Sequence, residues 1–194
     1  MKPRICRNFT ASMSLGFLVA FALTAAANAG TAPANASTSR TAPLYGGAVS
    51  KTRSHVFETQ LMPDGVRIWF YSDKAAPANV EKSGGTADLK LPDGRNLKLA
   101  LSPRQPTAKE PGVYFCPMHA DVVERKPGEC GTCGGMKLYT QDYLFGAADL
   151  AGVAPSGVVA RIRLTELAGD EKEVTLTPTF PKDGGNGTQH KTGR

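Results

Sequence analysis

A chain of 194 residues, 41% hydrophobic and 21% charged, is long enough to bury the core of one ordinary domain. Its formal net charge of +6 is partly an effect of the start: Lys2, Arg4 and Arg7 stand in the first 29 residues with no acidic residue, and residues 30–194 carry +3. The remaining Lys and Arg residues are scattered among Asp and Glu and form no basic stripe, which excludes nucleic acid as a partner.

The first element in chain order is an apolar stretch over residues 13–27, preceded by the three basic residues and closed by the small triplet Ala27-Asn28-Ala29. This pattern predicts a secretory signal peptide over residues 1–29. The run of about 15 residues is short of the roughly 20 that a spanning helix needs. No cysteine follows the cleavage position to accept a lipid. A periplasmic or secreted protein is therefore expected, with no membrane span after cleavage. Residues 30–43 lack any large apolar side chain and predict a flexible linker. Residues 181–194 are polar and rich in Gly, Lys and Thr, and predict a disordered tail.

Between these ends, residues 44–180 predict one β-domain. Strand-like runs fall at 55–61, 66–72, 86–91, 96–101, 143–150, 157–166 and 173–180. In the sixth run Val158, Ala160, Ile162 and Leu164 alternate with Arg161, Arg163 and Thr165, and in the seventh Val174 and Leu176 alternate with Glu173, Thr175 and Thr177. A period of two marks a half-buried strand. Pro63-Asp64-Gly65 and Pro92-Asp93-Gly94 separate apolar runs and predict hairpin turns. No stretch carries a helical stripe, so the fold class is all-β. Seven short strands with regularly spaced turns suggest an antiparallel sandwich of immunoglobulin-like shape, without the Cys-Trp-Cys pattern of an antibody domain.

The fourth and fifth runs are separated by a cysteine-rich insertion at residues 113–139. With Cys6 removed in the signal, the remaining cysteines are Cys116, Cys130 and Cys133, an odd number that cannot all pair. Cys116-x2-His119 and Cys130-x2-Cys133 are two knuckle spacings, each able to turn two side chains toward one ion. Ten intervening residues let the knuckles face each other across a hairpin and complete a tetrahedron. Pro127-Gly128, Gly131, Gly134 and Gly135 supply the turns. The expected metal ligands are Cys116, His119, Cys130 and Cys133, in a zinc-ribbon-like β-hairpin.

The run Tyr-x-Cys-Pro-Met-His, the Pro-Gly before the second pair, and Cys-x2-Cys-Gly followed by Met resemble the heavy-metal-binding domain. That module is found at the ends of copper-transporting P-type ATPases, in periplasmic adaptors of copper and silver efflux pumps, and in free-standing exported proteins. The resemblance covers residues 114–138 and implies Met118 and Met136 as auxiliary thioether residues. The chain departs from the pattern at Ala120, where the family has Pro, and at Gly134-Gly135, where it has one Gly.

Three thiolates and an imidazole suit zinc, whereas added thioether shifts preference toward copper(I). One ion, zinc or copper(I), is expected, and the function expected is heavy-metal handling, resistance or transfer. A metal-efflux pump component or a metallochaperone is the expected partner. The alternative is a structural zinc site in a β-sandwich that recognises another protein. A third reading takes Cys130-Gly131-Thr132-Cys133 as a redox dithiol, but Gly134-Gly135 breaks the helix that would activate its first thiol. No Ser-His-Asp set, phosphate loop or carboxylate pair identifies an enzyme. His55 and His190 read as ordinary surface or hydrogen-bonded histidines, Phe70 as a packing residue and Met62 as filler.

Overall fold

The computed structural model describes residues 43–80 and 82–182. The predicted signal peptide, most of the linker, His190 and the tail beyond Lys182 lie outside the described residues. Among those described, the elements in chain order are β1 (Ala48–Lys51), β2 (His55–Met62), β3 (Gly65–Ser72), β4 (Pro77–Ala78), β5 (Gly84–Lys90) and β6 (Asn96–Arg104). Five two-residue strands come next: β7 (Tyr114–Phe115), β8 (Val123–Glu124), β9 (Glu129–Cys130), β10 (Met136–Lys137) and β11 (Tyr139–Thr140). The chain then forms β12 (Tyr143–Ala147), β13 (Val159–Thr165) and β14 (Glu173–Leu176). The only helical elements among the described residues are single 3-10 turns at Gly131–Cys133 and Pro155–Gly157. No helix of the described residues is long and apolar enough to cross a membrane.

The protein is all-β, as its alternation predicts. The main sheet is antiparallel with the order β1-β2-β3-β12-β6-β5-β13-β14, and β4 adds to β3. Strand β6 belongs to both halves: residues from Asn96 to Leu101 pair with β5, and Ser102, Pro103 and Arg104 pair with β12. One strand that divides its hydrogen bonds in this way lets the two halves fold over each other in a sandwich-like arrangement. The pattern of burial follows from period two. In β13 the order is exposed Val159, buried Ala160, exposed Arg161, buried Ile162, exposed Arg163, buried Leu164.

The main core lies between the two halves. Phe57, Ile68, Phe70 and Leu144 come from one, and Ala87, Leu89, Ile162, Leu164 and Leu176 from the other. Full burial of one such aliphatic or aromatic side chain stabilises the fold by about 1.5–3 kcal/mol before conformational entropy is subtracted. At Gly65, with φ of 146°, a Cβ would stand 2.1 Å from the carbonyl oxygen of Gly146, so β3 and β12 approach closely only without a side chain there. The predicted turns are present: Met62 pairs with Gly65 across Pro63-Asp64, and the Leu91 amide bonds the Arg95 carbonyl across the second.

Strand β3 is buried on both faces. Its outward residues Trp69 and Tyr71 join Tyr45, Val56, Val113 and Tyr143 in a second, aromatic cluster. Tyr45 stacks on Trp69 with ring centroids 4.0 Å apart. The segment carrying Tyr45 is held by Glu58, a fully buried carboxylate. Glu58 accepts from the amides of Leu44, Tyr45 and Gly47 at 2.8 Å each, and from the Tyr71 hydroxyl at 2.6 Å. Burial and the adjacent Glu58 carboxylate push the Tyr71 phenol above its ordinary range. A buried charge is tolerated where donors surround it in this way.

Candidate metal centre

The cysteine-rich segment leaves β6 and returns at β12, two strands that pair with each other, so both its feet stand on the same part of the sheet. Glu110 fixes the first foot. Its carboxylate accepts from Arg67 at 2.6 Å, from the Tyr143 hydroxyl at 2.9 Å and from the Thr107 amide at 2.6 Å. Burial alone would raise the Glu110 pKa, but the Thr107 amide, Tyr143 and Arg67 outweigh it and bring it down to about 2. Gln141 fixes the second foot. Its amide nitrogen bonds the Val113 carbonyl, its side chain donates to the Phe70 carbonyl at 2.8 Å, and it accepts from the Tyr45 hydroxyl at 3.3 Å.

Above these feet the ladders are minimal. Strand β7 pairs with β11 and β8, and β9 pairs with β10, with two residue pairs each. Two knuckles stand at the strand ends. In the first, the His119 amide bonds the Cys116 carbonyl and the Val122 amide bonds the His119 carbonyl, folding Cys116 to His119 into a tight loop between β7 and β8. In the second, Cys130 ends β9, the 3-10 turn carries Cys133, and the Gly135 amide returns to the Cys130 carbonyl. Gly134 closes that turn with φ of 69°, a left-handed conformation that glycine adopts at no steric cost.

Folding of the two knuckles brings Cys116, His119, Cys130 and Cys133 together, with all four donor atoms within 4.8 Å of one another. Cys116 Sγ is 3.5 Å from Cys133 Sγ. His119 Nδ1 is 3.1 Å from Cys133 Sγ and 3.6 Å from the sulfurs of both Cys116 and Cys130. A tetrahedral centre with bonds of about 2.3 Å to sulfur and 2.0 Å to nitrogen has edges of about 3.8 Å between sulfurs and about 3.5 Å between sulfur and nitrogen. The four edges given lie within about 0.4 Å of these values and the other two are no longer than 4.8 Å, so the donor set is of a size and chemistry to hold one soft or borderline ion. The three cysteines are free. Because His119 turns Nδ1 inward, the tautomer that can ligate carries its proton on Nε2.

The thiols respond to their crowding. Burial pushes the Cys130 thiol up, but hydrogen bonds from the Cys133 amide and from the Cys133 and Cys116 thiols outweigh it and bring it down to about 7. Burial and the neighbouring Cys116 and Cys130 sulfurs push Cys133 up to about 12. Sulfurs this close together disfavour one another's ionisation, and a bound cation would compensate the charge that ligation requires.

The other expected residues are placed differently. Met118 is 73% exposed beside His119. Met136 lies directly across the β9–β10 ladder from Cys130, which puts both side chains on one face of that hairpin. His55 pairs with Glu171 at 3.4 Å. Phe70 lies in the main core, and Met62 ends β2 at the turn. Sequence reasoning did not find Gln141, Glu110 or Arg125, whose guanidinium donates to the Leu44 carbonyl and lies 5.7 Å from the Tyr45 ring. No local pattern marks such anchors, since their partners are up to 96 residues away in sequence.

Fold and centre together define a small all-β protein with a four-donor metal site inserted between two neighbouring strands. Residues 113–139 match the family described as heavy metal binding domain. No curated protein and no solved structure matches the chain.

Proposed function

We propose that this protein is exported to the periplasm or secreted, and that it binds one ion of copper, silver or zinc for heavy-metal handling, resistance or transfer, with no catalytic step. Cys116, His119, Cys130 and Cys133 are its ligands, with Met118 and Met136 available as auxiliary thioethers. A pump component or metallochaperone is its partner in transfer. The single observation that carries this reading is the convergence of four soft and borderline donors from two knuckles at tetrahedral spacing, in a segment that matches a heavy metal binding domain. The export part rests on the basic, apolar and small-residue pattern of residues 1–29. A thiol oxidoreductase is disfavoured because its attacking sulfur must meet substrate, whereas Cys130 is fully buried.

A second reading has support in the same segment. Ladders of two residue pairs cannot hold a hairpin by themselves, so an ion there also acts as a staple, as structural zinc does. Titration of the reduced full chain with copper(I) and with zinc against competing chelators, while folding is monitored, separates the two. Tight copper(I) binding that leaves the β-body unchanged supports metal handling. Stoichiometric zinc whose removal unfolds the hairpin, with weak or destructive copper binding, supports the staple.

A further inference from the structure

The four donors are unequally covered. Cys116 and Cys130, at the strand ends, are 1% and 0% exposed, whereas His119 and Cys133, at the knuckle tips, are partly exposed and only 3.1 Å apart. Both tips are bordered by exposed positions: Pro117, Met118 and Ala120 beside one, Gly131, Thr132 and Gly134 beside the other. Among these only Met118 carries a long side chain. Gly131, expected from the sequence as a turn glycine, is informative because neither its backbone angle nor crowding requires glycine there. Its φ is outside the left-handed region, and a Cβ built there meets nothing within 4 Å. Gly134, by contrast, has φ of 69° and is explained by its backbone.

We propose that the His119–Cys133 edge is the route by which a sulfur donor of an acceptor, thiolate or thioether, reaches the bound ion, and that Gly131 and Thr132 keep this route open. The inference rests on the metal-binding reading above and specifies how the ion leaves. In the first exchange the acceptor's sulfur forms a bond to the ion as the bond to His119 Nδ1 breaks. The imidazole departs neutral with its Nε2 proton in place, so no proton moves. Cys116 and Cys130, closed off from solvent, retain the ion until a second acceptor donor replaces Cys133. The ion then leaves with the acceptor as the bonds to Cys116 and Cys130 break in turn, and the freed thiolates take protons from water. Imidazole is the weaker partner for a soft ion, so the exposed edge is also the labile one.

The test uses the full chain loaded with Co²⁺, whose visible absorption reports tetrahedral sulfur coordination. Release is timed against dithiothreitol and, separately, against a peptide bearing a Cys-x2-Cys pair. Gly131→Leu and Thr132→Leu are expected to keep the cobalt spectrum and to slow release about tenfold beyond any change in equilibrium affinity, which is measured alongside. Gly128→Leu, at a position whose Cβ also meets nothing within 4 Å but which lies outside both knuckles, is expected to change neither. Slowing with both acceptors supports the route for small thiols and proteins alike, and slowing with the peptide alone supports it for a protein acceptor. Parent-like release from both Leu variants overturns the proposal. Loss of the spectrum in both overturns it too, since these positions are then structural. A parent chain with no tetrahedral cobalt spectrum contradicts the metal-binding reading itself.

Discussion

In the β-body, side chains such as Phe57, Ile68, Ile162 and Leu164 are wholly buried between two halves of a long-laddered sheet. In the hairpin of residues 113–139, ladders are two pairs long, and the charged sequence between the cysteines is mostly exposed. The first region is held by apolar area removed from water, which is collective and tolerant of a single loss. The second depends on four converging donor atoms, where one loss removes the whole effect. The body is thus a platform held by its own core, and the hairpin a short-laddered segment organised around four converging donors.

The largest effect expected from breaking this contrast is at the donors. Cys116→Ser removes one of the four donors, and if the ion is a structural staple it also removes metal-coupled folding on the order of 10 kcal/mol. Calorimetric titration is expected to show tight binding abolished, while thermal unfolding of the β-body is unchanged. The converse substitution, Ile162→Ala, opens a cavity in the main core and is expected to destabilise the body by about 2–5 kcal/mol. Denaturant unfolding measures that loss, and competitive chelation is expected to find metal affinity unaltered.

An intermediate effect is expected where the regions meet. Gln141→Leu leaves the Phe70 carbonyl without its side-chain donor and the Tyr45 hydroxyl without its acceptor, for a loss of about 1–3 kcal/mol. Unlike the first two, it is expected to lower amide-exchange protection on both sides of the joint, in β3 and in residues 113–115.

An effect confined to low pH is expected from acid. The Glu110 carboxyl moves from 4.5 to about 2 on folding, so the unfolded chain binds its proton more tightly than the folded one. Its contribution is full above pH of about 4.5 and is lost as pH falls toward about 2. Glu110→Gln is expected to flatten the acid limb of a stability profile between those values, with little change in metal binding at neutral pH.

Much of the fold and of the centre is legible in the sequence where the physics is local. Alternation in residues 157–166 and 173–180 reflects one buried face, and the structure places Ala160, Ile162, Leu164, Val174 and Leu176 inward. The Cys-x2-His and Cys-x2-Cys spacings are equally local, because a knuckle needs only a few residues to aim two donors. Features created by distant chain are not legible in this way. Trp69 and Tyr71 are buried because Tyr45 and Val113 cover the outer face of β3, and Glu58 is buried because residues 44–47 wrap over it. Strand β1 escapes a sequence reading because AVSK is short, carries one strong β-former and is held mainly by its pairing with β2.

The central claim is that four named side chains hold one ion, and X-ray absorption at the metal edge of reduced full-length protein, combined with elemental analysis, tests it most directly. The account predicts one ion per chain, with three sulfurs at about 2.3 Å and one imidazole nitrogen at about 2.0 Å. A chain that retains no ion after purification in excess metal, or a shell dominated by oxygen, would contradict it.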